Sequence, residues 1–302
     1  MTLTKHHRMV RTVAGAAVAA LALTACGGDP TESDSGSITV GSAAFNENEI
    51  IAEIYAQALE AEGVEVERQM QIGAREAYIP ALENGEIDLI PEYTGNLLLH
   101  FDPESEAATP QEVDEALDAA LPEALETLEE APAENKDSYN VTRELAETEG
   151  LTTIGDLAKI DGLKVGGNPE FETRSYGIPG LTGIYGVDDP QFVSISDSGG
   201  PATVKALVDG DVDVANIYST TPAIVANDLV TLEDPENMIA AQNVVPLINE
   251  DKATDEVEDV LERTSEALTT EDLLALNDRV DGDEKAATAT VAKEWLEEKD
   301  LI

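Results

Sequence analysis

One stretch of this chain occurs twice. Residues 77–95 read AYIPALENGEIDLIPEYTG, and residues 202–220 read ATVKALVDGDVDVANIYST. At an offset of 125 positions, six of the nineteen pairs are identical: Ala77/Ala202, Ala81/Ala206, Leu82/Leu207, Gly85/Gly210, Asp88/Asp213 and Tyr93/Tyr218. Ile79/Val204, Ile87/Val212 and Leu89/Val214 are conservative. Each copy reads as an amphipathic helical turn, a Gly suited to a left-handed C-cap, a short apolar strand rich in branched residues, and a Tyr just past the strand's end. Helix–Gly–strand units are common, but the joint spacing of Gly, Asp and Tyr argues against coincidence. In open α/β sheets ligands bind outside the carboxyl ends of strands. Two copies therefore predict two similar α/β lobes, each presenting a Tyr to a shared cleft.

The N-terminus reads as a leader. Lys5, Arg8 and Arg11 precede the apolar run Val13–Thr24 with no acidic residue among them. That run is too short to span a bilayer and suits the apolar region of a signal peptide. It ends in Leu23-Thr24-Ala25-Cys26, similar to the bacterial lipobox, in which the Cys becomes the lipid-modified N-terminus after cleavage. Cys26 is the only cysteine, so no internal disulfide can form. The polar segment Asp29–Ser37 reads as a flexible tether. The expected organisation is a signal peptide over 1–25, a lipid-anchored tether over 26–37, a first lobe over 38–140 plus 247–302, and a second lobe over 141–246.

Removal of 1–25 leaves 14 basic residues against 63 acidic ones, a net charge of −49. Such a charge repels phosphate and excludes nucleic acid as a partner. With 42% hydrophobic residues falling in clean periods, the chain is not a disordered acidic protein. Scarce Lys and abundant Asp and Glu on an intact apolar pattern point to a globular protein adapted to salt.

Along the mature chain, strand Ile38–Val40, helix Glu47–Glu62, strand Val64–Ile72 and the first repeat copy give βαβαβ, the signature of a mostly parallel sheet. Thr109, Pro110 and Glu112 open a helix with a capping box, expected to continue to Glu130 with a break at Pro122. Ala131–Tyr139 reads as the approach to a hinge. Thr152–Ile160 reads as a short helix, and strands Leu163–Gly167 and Phe192–Ser196 lead to the second copy. Leu229–Leu232 and Met238–Ile248 are strand-like. From Asp251 the apolar spacing is helical, and these helices are expected to pack back on the first lobe.

Catalytic parts are scarce. His100 is the only histidine outside the leader, so nucleophilic systems built on His and metal sites built on His and Cys lack components. His100 reads as a surface or packing residue. No phosphate-binding Gly-rich motif occurs. Asp209–Asp213 lacks the Gly and terminal Glu of a calcium loop. The expectation is a binding protein without enzymatic activity, cofactor or metal. Its aromatics are few, and three are placed suggestively: Tyr93 and Tyr218 after the repeat strands, and Tyr139 at the hinge. Tyr faces on loops around a cleft can box a quaternary ammonium.

On these residues the chain resembles the solute-binding lipoproteins of ABC importers for glycine betaine, choline and related osmoprotectants. The resemblance runs from about Ile38 to Leu301 and is carried by Val40-Gly41-Ser42, by Gly85–Gly95 (GEIDLIPEYTG), by Glu170–Arg174 (EFETR) and by Gly177–Leu181 (GIPGL). It implies an α/β, two-lobe periplasmic-binding-protein-like fold of type II, each lobe a mostly parallel sheet flanked by helices, with two hinge crossings. It further implies an aromatic box of Tyr93, of Tyr139 after the hinge Asp137, and of Tyr218. Arg174 would hold a ligand carboxylate, assisted by Asn96, because its planar fork pairs both oxygens.

Two departures bear on the ligand. Many relatives carry a Lys where this chain has Ala43, and an aromatic pair where it has Gln242 and Asn243. Arg75 either replaces the missing positive charge or forms a surface salt bridge with Glu76 or Glu47. The expected partners are a small zwitterionic or quaternary-ammonium solute, the permease subunits of an importer, and the membrane through Cys26. The expected state is a monomer lipid-anchored to the outer face of the bacterial cell membrane. The alternatives are a receptor for another polar zwitterion or amino acid, and a surface sensory lipoprotein without a transporter.

If the acidic surface is an adaptation to salt, the melting temperature of the mature protein rises with NaCl from roughly tens of millimolar to the molar range, as ions screen self-repulsion. A flat or falling melting temperature would sink that reading.

Overall fold

The two repeat copies become two equivalent helix–strand units. The computed structural model describes residues 36–302. The leader, the lipobox with Cys26 and nearly all of the tether lie outside the described residues. Among the described residues there are ten strands: β1 (Ser37–Gly41), β2 (Glu65–Gln69), β3 (Leu89–Tyr93), β4 (Leu125–Thr127), β5 (Asp137–Thr142), β6 (Lys164–Gly167), β7 (Gln191–Ser194), β8 (Val214–Tyr218), β9 (Leu229–Thr231) and β10 (Val244–Asn249). They form two five-stranded sheets, ordered β2-β1-β3-β10-β4 and β7-β6-β8-β5-β9.

The sheets have one topology. In the first, β1 pairs in parallel with β2 and β3, and β10 runs antiparallel to β3 and β4. In the second, β6 pairs in parallel with β7 and β8, and β5 runs antiparallel to β8 and β9. Strand β8 lies 125 positions after β3, the offset of the repeat. The chain crosses from the first sheet to the second between β4 and β5, and returns between β9 and β10.

The repeated residues have repeated jobs. Gly85 and Gly210 adopt φ of 69° and 77°, the left-handed turn between helix and strand that favours glycine. The Asp88 carboxylate accepts from the Thr39 backbone N–H at 2.8 Å, and that of Asp213 from Lys164 N–H at 2.8 Å. Each Asp thus ties its own strand to the parallel neighbour.

Helix α1 (Asn46–Ala61) buries Ile50, Ile51, Ile54, Tyr55 and Leu59. The C-terminal helices Asp255–Ala267, Thr270–Asp281 and Thr288–Glu298 cover it, and Val257, Leu261, Leu273, Leu276, Trp295 and Leu296 complete that core. A separate core around Tyr139, Val165, Phe171 and Leu181 fills the second lobe. Helices α2 (Arg75–Glu83) and α3 (Thr94–Phe101) follow β2 and β3.

Two segments differ from expectation. The capping box of Thr109 and Glu112 forms, but that helix stops at Ala120. Leu125–Thr127 is instead the edge strand β4, registered on Leu247–Asn249. Sheet pairing and burial of Leu125 outweigh the helical propensity of its neighbours. The strand expected from Met238 begins at Val244. Residues 238–243 form an irregular crossing packed under α3. Among the described residues, no helix is long and apolar enough to cross a membrane.

That crossing leaves no free space for a side chain at Gly95. Its N–H donates to Ala241 O at 3.0 Å, and a Cβ there would lie 2.4 Å from the same oxygen and 2.8 Å from Gln242 Nε2. Gly95→Ala should destabilise the protein by ~1–3 kcal/mol through overpacking. An unchanged urea midpoint would show that the crossing moves aside freely.

Candidate functional site

The carboxyl ends of β1, β2 and β3 face those of β6, β7 and β8 across a cleft of about 280 Å³. The loop after β1 contributes Ala43, Ala44 and Phe45, and the segment after β2 contributes Gly73, Ala74 and Arg75. Tyr93 and Asn96 come from the β3–α3 junction. From the other side come Asn168 and Glu170 after β6, Ser196 to Ser198 after β7, and Tyr218 at the end of β8. Asp137 opens β5. This is where the strand-end rule puts a ligand, applied twice.

Phe45 joins the two repeat tyrosines. Its ring centroid is 6.1 Å from that of Tyr93, stacked at 28°, and 5.4 Å from that of Tyr218, tilted at 52°. Burial pushes the Tyr93 phenol up, and the Glu47 carboxylate that accepts its hydrogen bond adds to the shift. Burial also pushes Tyr218 up, with the Asp137 charge adding to it. Both rings therefore stay neutral at physiological pH. Sequence reasoning missed Phe45, although it ends the loop after β1 as the tyrosines end β3 and β8.

Charges are held by geometry. Asp137 is buried and accepts from Asn96 Nδ2 at 2.9 Å and Asn216 Nδ2 at 3.0 Å. Asn96 sits on α3 in the first lobe and Asn216 on β8 in the second, so Asp137 links the two. Arg174 is reached by the turn after β6. Its Nη1 donates to the Tyr176 hydroxyl at 2.9 Å, and its Nη2 crosses the cleft to Glu76 of α2 at 3.3 Å. Asp197 accepts from the Ala202 and Thr203 N–H groups, so it caps the helix Pro201–Val208 as well as lining the cleft. Glu170 adds a carboxylate near enough to Tyr218 to raise that phenol further.

Arg75 does neither of the things expected of it as a salt-bridge former. It does not pair with Glu76 or Glu47. Its Nε and Nη2 both donate at 2.7 Å to Glu92, which is fully buried and also accepts from Tyr78 Oη at 2.7 Å and Tyr93 N–H at 2.9 Å. A guanidinium excluded from water needs a carboxylate in good geometry, and the Nε and Nη2 fork on Glu92 supplies it.

Of the residues singled out in the sequence, Tyr93, Asn96, Asp137, Arg174, Tyr218 and Arg75 line the cleft together. Tyr139, Gln242 and Asn243 are not in its lining. Tyr139 is buried behind it and donates to Tyr176 O at 2.8 Å, with its ring 5.5 Å from Phe171. It props the turn that carries Arg174. Gln242 is buried and exchanges two hydrogen bonds of 3.0 Å with Asn96. Asn243 turns to Ala131 O at 2.9 Å. His100 is half-buried, with its pKa lowered by burial and then by the Arg75 charge. Among the described residues, no group of His, Cys, Asp and Glu is arranged to hold a metal.

The family described as the substrate binding domain of ABC-type glycine betaine transport systems matches residues 36–298. The glycine betaine-binding protein YehZ of Escherichia coli K12 is 29% identical over 226 residues, covering 70% of this chain and 74% of that protein. A glycine-betaine-binding protein of Pseudomonas aeruginosa is 26% identical over 281 residues, 88% of each. Among solved structures, a glycine betaine/carnitine/choline ABC transporter protein superimposes with a TM-score of 0.70 at 22% identity, over 87% of this chain and 99% of that one. Apo YehZ from Escherichia coli does so with a TM-score of 0.63 at 26% identity, over 88% and 99%. The two-lobe α/β fold of type II is common to them.

Proposed function

We propose, for a chain that belongs to the family of substrate-binding domains of ABC-type glycine betaine transport systems, that it captures a small quaternary-ammonium solute between its lobes and delivers it to a membrane importer. The observation that carries this is the convergence of Phe45, Tyr93 and Tyr218 on one cleft that also holds the carboxylates of Asp137 and Glu170. A cation without N–H groups asks for π faces and negative potential, and nothing else. Each face contributes ~0.5–2 kcal/mol, more as water is excluded. A volume of about 280 Å³ suits a ligand of choline or betaine size.

The carboxylate end of a betaine would go to Arg174, which lies across the cleft from α2 and already reaches Glu76. A betaine must therefore take Arg174 from Glu76. Arg75 is committed to Glu92, and Ala43 adds no charge. These three facts favour a second reading within the same class, in which a simple cation such as choline binds at least as well as the zwitterion.

Calorimetric titration of wild type, Tyr218→Ala and Arg174→Ala with choline and glycine betaine tests both readings. Tyr218→Ala should cost ~1–2 kcal/mol for either ligand. Arg174→Ala should weaken betaine by ~2–3 kcal/mol and leave choline nearly unchanged. A wild type that binds neither ligand ends the proposal.

The same function requires the receptor to stay near its importer, which supports reading Leu23-Thr24-Ala25-Cys26 as a lipobox and the protein as an extracytoplasmic lipoprotein. Cys26→Ala should shift the protein from the membrane fraction to the medium or periplasm. Continued membrane fractionation would show that Cys26 carries no anchor.

A further inference from the structure

Glu47 lies in the first turn of α1, is 4% exposed, and lines no part of the aromatic cleft. Its carboxylate is met by four neutral donors. Oε1 accepts from Tyr93 Oη at 2.8 Å and Asn135 Nδ2 at 2.6 Å. Oε2 accepts from Thr220 Oγ1 at 2.5 Å and Asn277 Nδ2 at 2.6 Å. Two carboxylate oxygens offer about four acceptor sites, and all are used.

The donors come from four separate places. Tyr93 ends β3 in the first lobe and forms a wall of the cleft. Asn135 lies on the crossing between the lobes. Thr220 follows β8 in the second lobe. Asn277 belongs to the helix Thr270–Asp281, which packs on α1. The cluster is closed on itself, because Asn277 Nδ2 also donates to Thr220 O at 3.2 Å and Asn135 Oδ1 accepts from Thr220 N–H at 3.4 Å. A parting of the lobes that carried the end of β8 away from α1 would remove Thr220 from Glu47 and leave a buried carboxylate short of a donor.

We infer that Glu47 is a positioning residue that couples the Tyr93 wall to lobe closure, a role that rests on the ligand reading above. With Thr220 in place, the carboxylate is fixed and holds the Tyr93 phenol, and with it the ring that faces the cation. Coupling is reciprocal, so a cation on the Tyr93 ring favours the arrangement in which Thr220 reaches Glu47. A glutamine cannot substitute, since its amide brings N–H donors to a place already surrounded by donors.

The test is a double-mutant cycle with Glu47→Gln and Thr220→Val, titrated with choline and glycine betaine. Thr220 lies outside the cleft lining, so its effect on affinity must pass through another group. Each single variant should weaken binding by about tenfold, mainly by faster dissociation, and the double variant by no more than the worse single one. Thr220→Ser keeps the hydroxyl and should retain wild-type affinity. Spin labels on the exposed positions Glu86 and Asp188, one in each lobe, should show a broader distance distribution in both single variants without ligand. Strictly additive losses, or a lowered melting temperature with unchanged affinities, overturn the inference. If the wild type binds neither ligand, the ligand reading falls by itself, and the label distances decide on Glu47: distributions unchanged in both variants overturn it.

Discussion

The structure turns on carboxylates that have been taken out of water. Glu47, Glu92 and Asp137 are each no more than 5% exposed. An ionised carboxylate at such a depth costs several kcal/mol unless donors surround it. Each of these is satisfied by donors from more than one element of the fold. Glu92 takes Arg75 and Tyr78 from α2 and the N–H of Tyr93 from its own strand. Asp137 takes Asn96 from one lobe and Asn216 from the other. The requirement to satisfy the charge sets the position of the helix, the strand end and the neighbouring lobe. In this sense the cleft is shaped largely from behind: Glu47 and Glu92 are not in its lining, and of the three only Asp137 faces it.

The same constraint explains the electrostatics in front. Donors used on buried carboxylates are no longer available to a ligand. Arg75, a cation by sequence, presents an internal ion pair instead. Arg174 is the guanidinium that reaches across the cleft, and it shares its reach with Glu76 and Tyr176. The tyrosine phenols, raised by burial and by adjacent carboxylates, remain neutral π surfaces rather than phenolates. A positively charged ligand thus meets rings and carboxylates, whereas a negatively charged one meets a single contested arginine. The large negative charge of the whole chain acts in the same direction, but at a distance and under salt screening.

Much of this was legible in the sequence because local rules were repeated. Gly85 and Gly210, Asp88 and Asp213, Tyr93 and Tyr218 follow from backbone geometry and strand ends, and each pair does the same thing twice. What could not be read depended on long-range pairing. Residues 121–130 look helical by composition, yet Leu125–Thr127 is drawn into the edge of a sheet by β10, more than a hundred residues away. Tyr139 stands near Asp137 in sequence, but on a strand buried on both faces it turns to Tyr176 and away from the cleft. Gln242 and Asn243 are spent on Asn96 and Ala131, contacts that no periodicity announces. Phe45 obeys the strand-end rule but belongs to no repeat, so no internal comparison in the sequence marks it.

The repeat also separates what the two lobes share from what distinguishes them. Residues identical in the two copies build the scaffold and supply one ring from each side of the cleft. Discrimination between ligands needs unlike groups, and these occur where the copies differ. Glu92, fully buried and ion-paired, corresponds at the 125-residue offset to Ile217, fully buried and apolar. Pro91 corresponds to Asn216, which donates to Asp137, and Arg75 corresponds to Gly200. Arg174 has Glu49, on α1, at the matching offset. The first lobe therefore contributes a neutralised cation and the second a cation on a turn, so the two ends of a bound solute face different chemistry. The rings are alike on the two sides of the cleft, and the departures from that likeness give the cleft a direction.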